Sequence, residues 1–215
     1  MKMKIPLLGA FLLAATICSA QKFSTYIGLG LGNNIEHKFS YYEKKDRGRI
    51  AVSVAEYLEL NNGFSFAVEG SISGRLFSFI GGSGTSNYED NTTNTLWLNN
   101  NNMQVFNLLI KGKYSFRTLR KMKPFIGLGW GTTTYFYNLH VNNISRISQT
   151  SIVLSPEAGV DISRFRVSCN AIIGGKTPGY DKVDINTNQR VALTSISSHQ
   201  LYLKIGYRLF GKLKK

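Results

Sequence analysis

Ser197 and His199 are the residues whose types and spacing come nearest to a catalytic arrangement. A serine–histidine hydrolase needs a nucleophile within hydrogen-bond reach of its base and a third group that orients the base. In an extended strand Ser197 and His199 share a face, whereas Ser198 points to the other side. No acidic residue is specified near them, and His37 and His140 stand in other polar segments. We therefore expect no catalytic residues and keep a lipid-modifying hydrolase as an alternative.

Metal, cofactor and nucleic-acid chemistry have less support. The chain has no closely spaced histidine and aspartate cluster and no CxxC motif, so we expect no metal and no cofactor. The formal net charge is +14 and becomes +12 if Lys2 and Lys4 are removed with an N-terminal leader. A basic chain can bind nucleic acid, but an exported chain with strands that face lipid is not expected to do so.

Charged residues occur on the polar face of segments whose other face is apolar. They are Glu69, Arg75, Lys111, Lys113, Glu157, Arg166, Lys204 and Arg208. If these segments form a barrel, the charges lie in its lumen, where an ion must be paired because burial of an isolated charge is very costly. We expect a structural network of salt bridges; a path for protons or ions is the alternative.

The first long polar segment combines aromatic and basic residues. It contains Tyr41, Tyr42, Lys44, Lys45 and Arg47. Tyrosine among adaptable polar neighbours is a common recognition mixture, and the cations suit phosphate groups. We expect contact with lipopolysaccharide or an external partner, with an ordinary solvated loop as the alternative.

The N-terminus has the pattern of a secretory signal peptide. Two lysines precede an apolar run from Ile5 to Ile17, and Ser19-Ala20-Gln21 follows. The run is shorter than the roughly 20 apolar residues of a spanning helix. We expect residues 1–20 to be a signal peptide, cleaved after Ala20, and residues 21–215 to form one outer-membrane β-barrel domain.

Apolar and polar residues alternate with period two in segments separated by turn-forming residues, which is typical of strands with one apolar face. The segments are 23–32, 50–60, 64–75, 104–116, 125–136, 151–161, 165–173 and 200–209. In 64–75, for example, Phe64, Phe66 and Val68 face one way and Ser65 and Glu69 the other. Each is near the 9 to 11 residues that a tilted transmembrane strand needs.

The connections between these segments alternate between long and short. The long ones, near 34–48, 77–102, 138–149 and 174–197, then lie at the same end. Outer-membrane barrels have short periplasmic turns and long extracellular loops. The sequence therefore predicts an all-β fold, an eight-stranded antiparallel transmembrane up-and-down β-barrel whose lumen is filled by side chains.

Short motifs add a resemblance. Phe125-Ile126-Gly127-Leu128-Gly129 follows a basic turn and Lys-Pro, and Gly206-Tyr207-Arg208-Leu209-Phe210 comes near the C-terminus. Together with the leader, they resemble the outer-membrane β-barrel proteins of Bacteroidetes-type bacteria known as the porin family. The resemblance implies insertion through the barrel-assembly machinery, although residues 211–215 follow the aromatic end of the last strand. The family has no single activity.

The expected function is structural or lies in surface interaction through the long extracellular loops. Outer-membrane lipid, lipopolysaccharide and an extracellular or envelope protein are the expected partners. Two alternatives remain: an accessory barrel of an envelope transport or secretion machine, and a lipid-modifying hydrolase at the barrel rim.

Overall fold

Twelve strands form the described part of the chain. The computed structural model describes residues 22–36, 48–60, 63–75, 88–90, 95–97, 103–116, 122–137, 147–183, 188–193, 195 and 197–210. The strands are β1 (Lys22–Glu36), β2 (Arg49–Glu59), β3 (Phe64–Arg75), β4 (Tyr88–Asp90), β5 (Thr95–Trp97), β6 (Gln104–Ser115), β7 (Met122–Tyr137), β8 (Ile147–Ile162), β9 (Phe165–Lys176), β10 (Tyr180–Val183), β11 (Arg190–Leu193) and β12 (Ser197–Phe210). The predicted signal peptide and residues 41–47 lie outside these ranges.

Eight of the strands close into an antiparallel barrel in the order β1-β2-β3-β6-β7-β8-β9-β12. β12 returns to β1, with pairs running from Thr25↔Phe210 to Glu36↔Ser198. The predicted eight-stranded barrel is thus confirmed, and all eight predicted segments coincide with barrel strands. The turn at Ser163 joins β8 to β9 with a left-handed φ of 58°. We call the barrel end with this turn the turn end and the opposite end the loop end.

Two of the predicted long loops contain further strands. β4 and β5 lie within 77–102, and β10 and β11 lie within 174–197. They form a second sheet in the order β10-β11-β5-β4, in which β11 is parallel to β5. Strands of three or four residues are too short to give a clear alternation, which is why the sequence pattern indicated loops there.

The outer face of the barrel is apolar. Leu29, Trp130 and Leu203 keep 64%, 60% and 57% of their surface exposed, and most outward positions of the neighbouring strands are also apolar. A soluble protein rarely exposes so large a continuous apolar surface. At the turn end the band is bordered by packed rings, since Tyr114 contacts both Phe64 and Phe116 with centroids 4.8 and 5.2 Å apart. This arrangement fits a bilayer with an aromatic boundary.

Glycines on the inner face of β1 let the wall approach its neighbours closely. A Cβ added at Gly32 would lie 2.1 Å from the carbonyl oxygen of Leu201 and 2.4 Å from the ring of Tyr202. No larger residue fits there without displacing β12. Glycine at position 32 is therefore a packing requirement of this narrow barrel.

Candidate functional site in the barrel lumen

A network of four ionic side chains lies at the centre of the lumen. Lys111 on β6 bonds Glu69 on β3 at 2.9 Å and Glu157 on β8 at 2.7 Å. Lys204 on β12 bonds the other carboxylate oxygen of Glu69 at 2.5 Å. All four are buried. Because these side chains come from strands around the whole circumference, the network closes the centre of the barrel.

Towards the turn end a second group centres on Asp161. Its carboxylate accepts from Lys113 at 2.9 Å and from Arg166 at 2.6 and 3.2 Å. The Arg166 guanidinium also lies over the rings of Tyr57 and Phe125, 4.3 and 5.0 Å from their centroids. Two cations therefore share one carboxylate, and the aromatic faces offset part of the remaining positive charge.

Arg208 closes the turn end. It donates to the hydroxyl of Tyr26 at 2.8 Å and to the carboxylate of Glu59 at 3.3 Å. Ser24 donates to the same carboxylate at 2.9 Å. β1, β2 and β12 are thereby joined across the barrel seam.

On the loop side of the central network the lumen contains uncharged polar groups. Gln200 donates to Thr133 at 3.3 Å and to Tyr135 at 3.2 Å, and it accepts from Tyr202 at 3.0 Å. Tyr202 also bonds Ser73 at 2.9 Å. These groups are buried and satisfy one another, so they fill this level without free charge.

An apolar cluster fills the loop end. Its buried members are Met103, Val105, Tyr135, Tyr137, Val191 and Leu193. Two of them belong to β11, so the second sheet contributes to sealing the barrel mouth. Arg49 donates to the carbonyl oxygen of Met103 at 3.1 Å beside this cluster. Apart from Arg49, the lumen thus changes from ionic to uncharged polar to apolar along its axis.

A small cavity interrupts the packing beside the central network. Its volume is about 20 Å³, and its lining includes Ser53, Ser168, Glu157, Arg166 and Lys204. This is room for about one water molecule. It is far too small for a sugar or an amino acid to occupy.

The wall of the barrel is incomplete at one point near the loop end. β8 pairs with β7 as far as Ile147, but its pairing with β9 ends at Leu154↔Ile173. None of the described residues pairs with the other side of residues 147–153, which we call the unpaired edge of β8. The side chain of Gln149 donates to the carbonyl oxygen of Thr150 at 3.4 Å within it.

β9 separates from β8 at a bulge at Gly174, although it stays paired with β12 as far as Lys176. The register between β9 and β12 shifts there, and Gly174 has a φ of +102°, which favours glycine. After β9 ends at Lys176, Thr177 and Pro178 are buried. Beyond the bulge, β9 therefore no longer pairs with the edge of β8.

The structure brings together seven of the eight charged residues predicted for the lumen. Glu69, Lys111, Lys113, Glu157, Arg166, Lys204 and Arg208 all make ion pairs there. The backbone of Arg75 pairs with Arg49, but its side chain lies outside the described part. Asp161, Glu59 and Arg49 also make lumen contacts and were not among the predicted charges. Asp161 could have been found, because a period of two places it on the same face as Glu157.

The predicted recognition residues Tyr41, Tyr42, Lys44, Lys45 and Arg47 lie outside the described residues and stay a prediction. His37 and His140 also lie outside the described residues.

Ser197 and His199 lie at the loop end of β12. Ser197 is exposed and His199 is partly exposed. The Nδ1 atom of His199 accepts from the backbone N–H of Gly174 at 3.2 Å. This bond occupies one ring nitrogen and ties the histidine to the bulge in β9.

Among the residues that the structure describes, no three histidine, cysteine or acidic side chains are grouped so that they could hold a metal ion. The described part also contains no helix long and apolar enough to cross a membrane.

No family model and no curated protein matches the chain. Solved structures do. Neisserial surface protein A is 14% identical with a TM-score of 0.56, and the match covers 86% of this chain and 95% of that one. OprG from Pseudomonas aeruginosa is 11% identical with a TM-score of 0.48, covering 89% and 97%. Ail from Yersinia pestis is 14% identical with a TM-score of 0.44, covering 87% and 98%. The chain has the fold of an integral eight-stranded outer-membrane β-barrel.

Proposed function

We propose that the protein is an outer-membrane barrel with a closed lumen, whose role is structural or lies in surface interaction at its loop end. The filled lumen is the observation that carries this proposal. Ionic, polar and apolar layers follow one another along the axis, and each joins strands from different sides of the barrel. With no passage for a solute, the groups available to other molecules are those on the outside.

A permeability assay tests the closed lumen. In liposomes that contain the folded protein, we expect arabinose to enter no faster than in protein-free liposomes, because the side-chain layers leave no continuous aqueous path. Swelling is followed by light scattering, and a general diffusion porin at the same molar ratio provides the positive control. Sugar entry that rises with the amount of this protein would refute the proposal.

The unpaired edge of β8 supports a role in surface interaction. Its outward side chains Ser148 and Thr150 are polar and exposed, so it extends beyond the apolar band that ends near Ile152. A strand edge with free backbone donors and acceptors is a template for an extended segment of another polypeptide. We propose that recognition at the loop end includes this edge.

Hydrogen exchange tests whether the edge is open. In the isolated protein, we expect the alternate amides of residues 147–153 that point away from β7 to exchange rapidly, because no strand protects them. Residues 157–161 of the same strand, which pair on both sides, provide the control. Equal protection along the whole of β8, measured by exchange with NMR or mass spectrometry, would show that the edge is already covered.

Further parts of the proposal rest on residue patterns in the sequence and on the family resemblance. We propose membership of the Bacteroidetes-type family, export by the signal peptide at residues 1–20 and insertion by the barrel-assembly machinery. Lipopolysaccharide is a proposed contact of the basic segment that contains Lys44, Lys45 and Arg47.

A further inference from the structure

Glu56 is an ionisable side chain in the apolar outer face of the barrel. It is exposed and lies between Val54 and Leu58 on the outward side of β2. On the neighbouring strand β3 its register partner is Val68, and the partner of Val68 on β6 is Ile110. Among the outward positions that the structure describes within this band, Glu56 is the only one with an acidic or basic side chain. An ionisable residue in such a place is costly and marks a functional site by default.

The position of Glu56 relative to the aromatic boundary gives its depth. Along β2 the next outward positions towards the turn end are Leu58 and Leu60, and the backbone N–H of Leu60 bonds the carbonyl of Phe64. Phe64 belongs to the aromatic boundary at this end of the band. Glu56 therefore lies inside the band, in the half nearer the turn end.

One carboxylate oxygen of Glu56 already has a partner. Thr25 on β1 donates to its Oε1 atom at 2.8 Å. No cationic side chain of the described barrel pairs with Glu56, and a carboxylate accepts several hydrogen bonds. The bond from Thr25 holds the group in place and leaves Oε2 for a donor from outside the barrel.

Two outward positions near Glu56 carry no side chain. Gly70 on β3 and Gly112 on β6 interrupt the outward rows on either side of Val68 and Ile110. A Cβ added at Gly70 would meet no heavy atom within 4 Å, and one at Gly112 would meet only the carbonyl of Leu128 at 3.9 Å. The two glycines leave shallow depressions in the apolar surface that can accept part of an acyl chain.

We propose that Glu56, held by Thr25, binds the primary ammonium group of an aminophospholipid in the leaflet on the turn-end side. Lipid is what covers an outward position of a single barrel, and a cation at this depth must be attached to apolar chains. A primary ammonium has three N–H donors for the free carboxylate oxygen, whereas a choline group has none. A symmetric dimer through this face would instead oppose Glu56 to Glu56, which is unfavourable because like charges repel.

The test compares lipid headgroups that differ only in N–H donors. Purified folded protein is placed in nanodiscs that contain phosphatidylglycerol with phosphatidylethanolamine, its dimethylated form or phosphatidylcholine, all with the same acyl chains. For the unaltered protein we expect Tm to be about 2–4 °C higher with phosphatidylethanolamine than with phosphatidylcholine. The dimethylated lipid, which retains one N–H, should give an intermediate Tm.

The matched variant is Glu56→Gln, whose side-chain oxygen still accepts from Thr25, while its amide group removes the charge and replaces the free acceptor oxygen with an NH2 donor. We expect it to fold and to have the same Tm in all three lipids. Native mass spectrometry should also show that it retains fewer phosphatidylethanolamine molecules than the unaltered protein.

An equal dependence on headgroup in both proteins would overturn the proposal, as would no dependence in the unaltered protein. The latter result would favour a partner protein at Glu56. The proposal rests on the barrel spanning a membrane but not on the closed lumen. Failure to enter nanodiscs at all, or entry of sugar in the swelling assay, would count against the proposed function instead.

Discussion

The Asp161→Asn variant is expected to lose about 3–5 kcal/mol of the free energy of unfolding, which is the usual cost of leaving a buried charge without its partner. Asp161 is the carboxylate shared by Lys113 and Arg166. Asparagine keeps the size but removes the charge, so two neighbouring cations remain buried together. Urea unfolding in lipid vesicles, followed by tryptophan fluorescence and by the gel shift between folded and unfolded protein, measures the loss.

The Asp181→Asn variant is the matched control. Asp181 forms an ion pair with Arg190 in the second sheet, and both side chains are more than half exposed. The bond from Arg190 lowers the pKa of Asp181, but solvent screens an exposed pair and reduces its contribution to stability. We expect no measurable change in the unfolding midpoint. A midpoint for Asp161→Asn equal to that of the control would show that the turn-end cations do not need this carboxylate.

The Lys111→Met variant is expected to have a loss of similar size, about 3–5 kcal/mol, at the centre of the lumen. Lys111 is the ion-pair partner of Glu157, whereas Glu69 also has Lys204. The substitution therefore leaves the Glu157 carboxylate buried without an ion-pair partner among the described residues. The same urea titration measures the effect.

Adding Glu157→Gln to Lys111→Met tests this explanation. The second substitution removes the stranded charge, so we expect the double variant to be more stable than Lys111→Met alone, with a coupling energy of about 0.5–3 kcal/mol. Strictly additive losses would mean that Lys111 and Glu157 do not interact in the folded protein. A lysine that acts mainly through its aliphatic stem would give that result.

The barrel was predictable because each strand has one face in lipid and one in the lumen. Residues 64–75 show why: a period of two places Phe66 and Val68 outside and Glu69 inside whatever their partners are. The inward charges followed from the same rule. The rule does not predict which charges pair with one another. Lys204 and Glu69, for example, are 135 residues apart and meet only because of the register of the strands between them.

Other features could not be read from the period. The bulge at Gly174 depends on one left-handed residue, and glycines are frequent in this chain. Glu56 was missed because the apolar residues around it defined the face, and a single acidic residue in an alternating segment does not change that assignment. β11 packs on the barrel mouth through Val191 and Leu193, and β10 packs there through Tyr180. Strands of four residues are too short for their alternation to indicate these contacts.

The lumen contacts join the first third of the chain to its last strand. Tyr202 bonds Ser73, 129 residues away, and Arg208 bonds Tyr26, 182 residues away. Until β12 is in place, Glu69 lacks Lys204 and the seam lacks Arg208, so a chain folded through β9 still has an unfinished interior. The interior is thus completed in one late step, and contacts of such long range are slow to form. Closure of the seam and completion of the central ion-pair network are therefore a single event in the assembly of this barrel.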